Sequence, residues 1–391
     1  MNTGQQSDFM LLGVGGGGCR IVASILTSYG GNLRALGVDT DAIANREVST
    51  GGLTCLLLGG SRLSGHGTGG DAIMGRLALQ DDLTNLNNHL TGVRTVVLIS
   101  CLGSGTGNGV TPDLVKTLHD QGIATLCFIL RPFSFEGEAR KKAAERVVPM
   151  IEEHADSLIV ISQDELFAET EAGQVQDALV AANGLLASGI TLLWRLVSTP
   201  GFISLDTERL HRLLLKGGNA RFGSATVQGP DRASQAVEAL CGCRLLRLGD
   251  ALKKANTLLF GILAGADLRL SELGEMMENM RQYCKKECSI EMGTVLDLAY
   301  DGKIELVVLA FESWTASAAL DSSQGVQLVA NQPPIAESFP IQSGSRRRVR
   351  VSKLSFGATG RGKFQDVEPT LFEGQDLDIP TYVRRGITLE R

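Results

Sequence analysis

At 391 residues, 43% hydrophobic and 20% charged, the chain is long enough for two cores of ordinary globular composition. A net charge of −6 and a pI near 5.5 exclude general electrostatic binding of nucleic acid. The eight cysteines follow no secreted-scaffold pattern, and their close pairs, Cys241/Cys243 and Cys284/Cys288, have no histidines at zinc spacing, so reduced thiols in a cytoplasmic protein are expected.

The opening MNTGQQSDF has no basic region followed by an apolar one, and no run is read as membrane-spanning. Phe9 to Val14 is a short buried strand that runs into Gly13-Val14-Gly15-Gly16-Gly17-Gly18. A helix over Arg20 to Tyr29 and a strand over Leu33 to Val38 follow, ending in Asp39. Glycines at that spacing, with an acid about 20 residues on, satisfy a dinucleotide-binding fingerprint, and alone they suggest an NAD-dependent oxidoreductase. Asp39-Thr40-Asp41-Ala42 consists largely of turn residues. Gly65-His66-Gly67-Thr68-Gly69-Gly70-Asp71 opens a helix near Ala72, with His66 read as a solvated side chain. The β-branched run Val93 to Ser100 is a second buried strand, and Gly103-Ser104-Gly105-Thr106-Gly107-Asn108-Gly109 comes directly after it. Val110 to Gly122 then has helical spacing, with Pro112 in its first turn, where proline is tolerated. Strand, glycine loop with hydroxyls, and helix start make the layout of a phosphate cradle. Glycines let the backbone approach the anion, and N–H groups at the helix N-terminus point at it.

Ile123 to Leu130 and Ser157 to Ile161 are further strands. The first leads into Arg131-Pro132-Phe133-Ser134-Phe135-Glu136-Gly137, where Glu136 reads either as a ligand contact or as a helix-start acid. Gln174 to Val197 is one long helical pattern, apolar on most sides and suited to burial between two domains. Beyond Thr199-Pro200-Gly201 come a helix to Leu215, strands over Leu258 to Ala264, Ser289 to Leu296 and Glu305 to Ala310, and a helix over Leu270 to Cys284. A mixed sheet packed on helices is the simplest layout for them. From about residue 312 Ser, Gln, Gly and Pro dominate, as in a disordered linker. Arg346 to Arg350 within it is a solvated basic run, and the G-x-x-x-x-G-K over Gly357 to Lys363 is coincidental, because Phe364 replaces the metal-holding hydroxyl.

The loop at Gly103 to Gly109 resembles the tubulin/FtsZ signature GGGTG(S/T)G, with Ser104 in place of one glycine, and the order of motifs resembles FtsZ. The first loop is similar to the FtsZ opening GVGGGGGN, with Cys19 and Arg20 at its last two positions; Arg20 either contacts phosphate or faces solvent. Residues 39–42 look like the NTDA loop, the Gly65 loop like GLGAGANP, and residues 131–137 match RPFSFEG. The resemblance implies an α/β fold: a tubulin/FtsZ-like Rossmann-type nucleotide domain (1–173), a long central helix (174–198) and a second α+β domain (199–311). A disordered linker (312–374) and a C-terminal peptide (375–391) that docks on a membrane adaptor or division protein would complete it. It implies GTP/GDP held by Gly15, Gly16, Gly17, Gly18, Cys19, Arg20, Asp39, Thr40, Asp41, Ala42, Gly67, Thr68, Gly69, Gly70, Gly103, Ser104, Gly105, Thr106, Gly107, Asn108 and Gly109. Glu136 and Arg140 would face the ribose; Gln163, Leu179 and Asn183 would lie at the base. Mg2+ is expected beside the triphosphate, bound mostly by phosphate and water, so no protein metal ligands are assigned.

Three departures bear on activity. The base positions, taken as Leu179 and Gly184, commonly carry Phe and Asp in the family, so guanine preference is expected to weaken. The loop Phe202 to Arg209 matches PGLINxDxxD, which in FtsZ enters the neighbouring subunit's site and positions the attacking water. Asp206 keeps the first acid, Arg209 replaces the second, and Glu208 lies one residue short, about 100° away on a helix. Asp206 and Glu208 are the catalytic candidates, and Arg209 cannot serve as a base at neutral pH. The expectation is a GTPase filament protein of cell division, polymerising head to tail, self-associating or co-assembling with another FtsZ, at the membrane or division site. The alternative is a hydrolysis-deficient paralogue that builds filaments.

Overall fold

The computed structural model describes residues 8–29, 33–170, 174–199, 201–312, 371–372 and 375–376. The expected linker and C-terminal peptide, with the Arg346 run, lie almost entirely outside them.

The first half alternates strand and helix: β1 (Phe9–Val14), α1 (Gly15–Tyr29), β2 (Ala35–Asp39), α2 (Ala42–Ser49), β3 (Cys55–Leu57), α3 (Gly60–Leu63), α4 (Ala72–Leu90), β4 (Thr95–Cys101), α5 (Gly105–Asp120), β5 (Ala124–Arg131), α6 (Glu138–Glu152), β6 (Ser157–Ser162) and α7 (Gln163–Phe167). β1, β4 and β5 are apolar and buried on both faces, as parallel strands covered by helices must be, while the edge strand β3 is half-buried. The long helix α8 (Val175–Ser198) follows. After it come α9 (Thr207–Leu215), β7 (Gly218–Gln228), α10 (Arg232–Gly242), α11 (Asp250–Lys254), β8 (Thr257–Ala264), α12 (Leu270–Tyr283), β9 (Ser289–Leu296) and β10 (Lys303–Glu312). By themselves, β11 (Leu371–Phe372) and β12 (Gln375–Asp376) form an antiparallel pair.

The ten strands form one sheet in the order β3-β2-β1-β4-β5-β6-β7-β10-β8-β9. It is parallel from β3 to β6. β6 meets β7 only at Ser157/Gly218 and Leu158/Asn219, so that short seam joins the two halves. Beyond it, β7–β10 and β10–β8 are antiparallel, and β8–β9 is parallel. The chain leaves β1 to one side for β2 and crosses to the other for β4. The crevice at their carboxyl ends is therefore a topological switch point, where α/β sheets bind ligands.

α8 meets the expectation of a buried central helix, with Ala182, Leu186, Ala187, Ile190 and Leu193 in the core and Trp194 packed 5.0 Å from Phe9. Over Asp177–Ser198 it is long and apolar enough to cross a membrane, contrary to the expected lack of such a run. Half of that apolar window is buried against the rest of the protein, as in a core helix.

Two helices begin earlier than expected. α1 starts at Gly15 rather than Arg20, and α5 at Gly105 rather than Val110. The glycines form their first turns because no side chain fits there: a Cβ at Gly18 would lie 2.2 Å from the Ile99 carbonyl oxygen, and one at Gly107 2.2 Å from that of Cys101. β7 carries no strand pattern of its own, since GNARFGSATVQ mixes small, polar and charged residues; its ladder with the strongly apolar β10 makes it a strand.

Candidate nucleotide site

In register, Val14 of β1 stands beside Ser100 of β4, so the two glycine loops that follow emerge side by side at one sheet edge. The N-termini of α1 and α5 open there together, with free N–H groups and the positive ends of their dipoles. Ser104 caps α5, its Oγ accepting from the Gly107 amide at 3.2 Å, and the Asn108 Oδ1 accepts from the Gly103 amide at 2.9 Å. Gly103 needs its freedom: its φ is 97°. The third loop lies against the second, since a Cβ at Gly105 would fall 2.2 Å from the Thr68 Oγ1. Gly67, Gly69 and Gly70 all have positive φ, and Asp71 caps α4 by accepting from the Ile73 amide at 2.8 Å.

Asp39, Thr40 and Thr106 lie between these loops. The Thr40 and Thr106 hydroxyls are hydrogen-bonded at 2.8 Å, and the Thr40 amide donates to the Asp39 Oδ1 at 2.7 Å. Asp41 caps α2, accepting from the Ile43 and Ala44 amides, while the Ala42 amide donates to the Gly65 carbonyl. The turn reading of residues 39–42 holds, and the turn sets Asp39 beside the first glycine loop, its Oδ2 3.5 Å from where a Cβ on Gly16 would lie.

Asp39 is 4% exposed, and burial pushes its carboxyl above its ordinary 3.8. A raised native pKa means that the folded chain holds more protons than the unfolded one from pH 3.8 upward, so stability falls as pH rises through that window. Asp39→Asn is expected to raise the urea midpoint of the ligand-free protein at pH 7–8. The advantage should shrink towards pH 4; an equal gain at pH 4 and pH 8 would refute the burial cost.

At the other end of the crevice, a cleft of about 160 Å³ is lined by Gly17, Arg20, Phe133, Gln163, Leu179 and Asn183, among others. Leu179 and Asn183 stand one helical turn apart on α8 and share that face. Gly184 does not: it faces a separate cleft with Ser28 and Ser188. Gln163 and Asn183, both expected at the base, line the same cleft, and each side chain carries a hydrogen-bond donor and an acceptor. The i, i+4 spacing from Leu179 was the available signal. Phe133, edge-on to Phe167 at 4.9 Å, was a missed wall of the cleft.

Cys19 points away from the cradle into the core, its Sγ 3.5 Å from the Gly13 carbonyl oxygen. Only its backbone can serve a ligand. Glu136 and Arg140, the pair expected to face the ribose, engage each other at 2.6 Å, and Glu136 also accepts from the Phe133 amide at 3.0 Å.

The catalytic candidates are not brought to this site. Asp206 caps α9, its Oδ1 accepting from the Arg209 amide at 2.6 Å. Glu208 pairs with Arg94 at 2.8 Å, and His211 Nδ1 lies 3.3 Å from the Thr95 hydroxyl. Arg94 and Thr95 mark the start of β4, whereas the Gly103 loop follows its end. The seven residues of β4 separate the two groups by about 20 Å of extended chain. Arg209 is ion-paired to Glu291 of β9. No cluster of three or more potential metal-ligating side chains occurs among the described residues.

Residues 8–171 match the tubulin/FtsZ family GTPase domain and residues 218–312 the FtsZ family C-terminal domain. The cell division protein FtsZ of Wigglesworthia glossinidia brevipalpis is 28% identical over 377 residues, 96% of this chain and 95% of that one. FtsZ of Buchnera aphidicola subsp. Schizaphis graminum is 30% identical over 301 residues, covering 77% of this chain and 78% of its own. Among solved structures, the empty FtsZ dimer of M. jannaschii superposes with a TM-score of 0.72 at 22% identity, covering 78% of this chain and 88% of that one. Fold, loop order and relatives spanning nearly the whole length agree: the chain belongs to the FtsZ family.

Proposed function

We propose that the chain is a GTP-binding cytoskeletal protein of cell division that assembles head to tail. The observation that carries this reading is the separation of its two half-sites at opposite ends of β4. A loop that cannot reach its own cradle can complete only another copy's. Such a contact is heterologous and does not close, so it propagates a filament. The M. jannaschii relative was solved as a dimer, in keeping with self-association.

In this reading the N-termini of α1 and α5 and the Gly67–Gly70 loop bind the phosphates, and the Asn183 cleft takes the base. The donor set fits Mg2+ held through water: Asp39, destabilised as an anion by burial, and the Thr40 and Thr106 hydroxyls are hard oxygen ligands. When bound, the ion would offset phosphate charge. Asp206, from the next copy, would orient the attacking water. The division of labour is a nucleotide domain (1–173), the central helix (174–198) and an assembly domain (199–311), with residues 375–391 as an adaptor-binding peptide at the division site. A hydrolysis-deficient filament protein, alone or co-assembled with another FtsZ, is the second reading, favoured by the Arg209–Glu291 pair.

Sedimentation and negative-stain imaging with GTP, GDP, ATP or no nucleotide, each with Mg2+, test the proposal. Filaments are expected with GTP. A protein that stays monomeric with every nucleoside triphosphate overturns the reading.

A further inference from the structure

Cys19 and Cys55 lie far apart in sequence, on α1 and on the edge strand β3, yet their sulfurs face each other. Gly37 of β2 pairs in register with Cys55, and a Cβ placed on Gly37 would fall 2.8 Å from the Cys55 sulfur and 3.0 Å from the Cys19 sulfur. The missing side chain of Gly37 is therefore the space that the two thiols share. Cys19 is buried and Cys55 is part-exposed, an arrangement of one reachable sulfur backed by one sheltered sulfur.

We propose that this pair is a modification site, closing to a reversible Cys19–Cys55 disulfide when the protein meets a peroxide. The Cys55 thiolate attacks one peroxide oxygen: an S–O bond forms, the O–O bond breaks, and the departing hydroxide takes a proton to become water. Cys19 then attacks the Cys55 sulfenic sulfur, the S–S bond replaces the S–O bond, and the Cys19 proton leaves with the hydroxide as a second water. Two thiols are oxidised by two electrons and one hydrogen peroxide is reduced to two waters.

The local chemistry favours these roles. Cys19 as a neighbour lowers the Cys55 thiol below its ordinary range, which favours the nucleophilic thiolate at the part-exposed sulfur. The same contact and burial push Cys19 up, keeping it a thiol until Cys55 has been oxidised. The other neighbouring pair, Cys284 and Cys288, lacks this asymmetry: burial raises both, Cys284 to about 12. The bond would tie α1, five residues into the helix whose first turn opens the nucleotide crevice, to the sheet edge. This inference does not depend on the proposed assembly.

The test is peptide mapping of the full chain, reduced, desalted, treated with hydrogen peroxide and quenched with N-ethylmaleimide. A linked Cys19–Cys55 peptide is expected to form at least about tenfold faster than a linked Cys284–Cys288 peptide, and to revert with dithiothreitol. Cys55→Ser should abolish the link and leave Cys19 free to be alkylated after unfolding. Cys19→Ala should halt Cys55 at the sulfenic acid, trapped by dimedone. The proposal is overturned if the Cys284–Cys288 link forms first in the unmodified sequence. It is equally overturned if Cys55 there proceeds to sulfinic acid while Cys19 stays a free thiol.

Discussion

Arg209→Asp combined with Glu291→Gln is expected to raise GTP turnover by at least about tenfold over the unaltered chain, whose rate should sit near background. Arg209 occupies the position of the second acid in the FtsZ loop, and a guanidinium cannot accept a proton at neutral pH. Glu208 offers no replacement, being held by Arg94 at the foot of β4, so Asp206 is left as the single acid of the pair. The double change matters because Arg209 is ion-paired with the largely shielded Glu291. Arg209→Asp alone would set two carboxylates against each other, which raises the pKa of one and pushes the new side chain out of place. The single variant should therefore recover less activity than the double one. Phosphate release measured alongside sedimentation separates chemistry from assembly. If the double variant still forms filaments and its turnover does not move, the lost acid is not what limits hydrolysis.

The elements legible in the sequence were those whose own residues determine them. β1, β4, β5 and β6 are apolar runs because both faces are covered, and α8 shows its buried character through its lack of charge. The glycine loops were legible as a cradle, but their helical first turns were not: a glycine run signals freedom, and only the packing against Ile99 and Cys101 makes it helical. β7 lacks an apolar rhythm along its whole length, and its partner β10 supplies the order. At the expected base end, Leu179 and Asn183 lie one helical turn apart and line one cleft, while Gly184 lines another. The distance between the Asp206 loop and the Gly103 loop, and the meeting of Cys19 with Cys55, depend on strand order and register. No local pattern carries either.

Gly109→Ala and Gly184→Ala, the same change on two helices, are expected to move stability in opposite directions. Gly109 lies in the first turns of α5, where α4 crosses so closely that an added Cβ would come 2.1 Å from the Ala72 carbonyl oxygen and 2.8 Å from the Arg76 amide nitrogen. Both obstacles are backbone, so the strain cannot be relieved by a rotamer change; α4 and α5 must separate. A loss of about 3 kcal/mol is expected, at the upper end for overpacking, with or without nucleotide. Gly184 is exposed on α8, and an added Cβ there meets nothing within 4 Å. Alanine restricts the unfolded chain and suits a helix, so a gain of about 0.5–1 kcal/mol is expected. Urea unfolding of the two variants at matched slope decides the matter. Glycine at position 109 is thus required by the approaching helix, apart from the anion binding proposed for the loop. An unchanged urea midpoint for Gly109→Ala would show that the two helices can part there without cost.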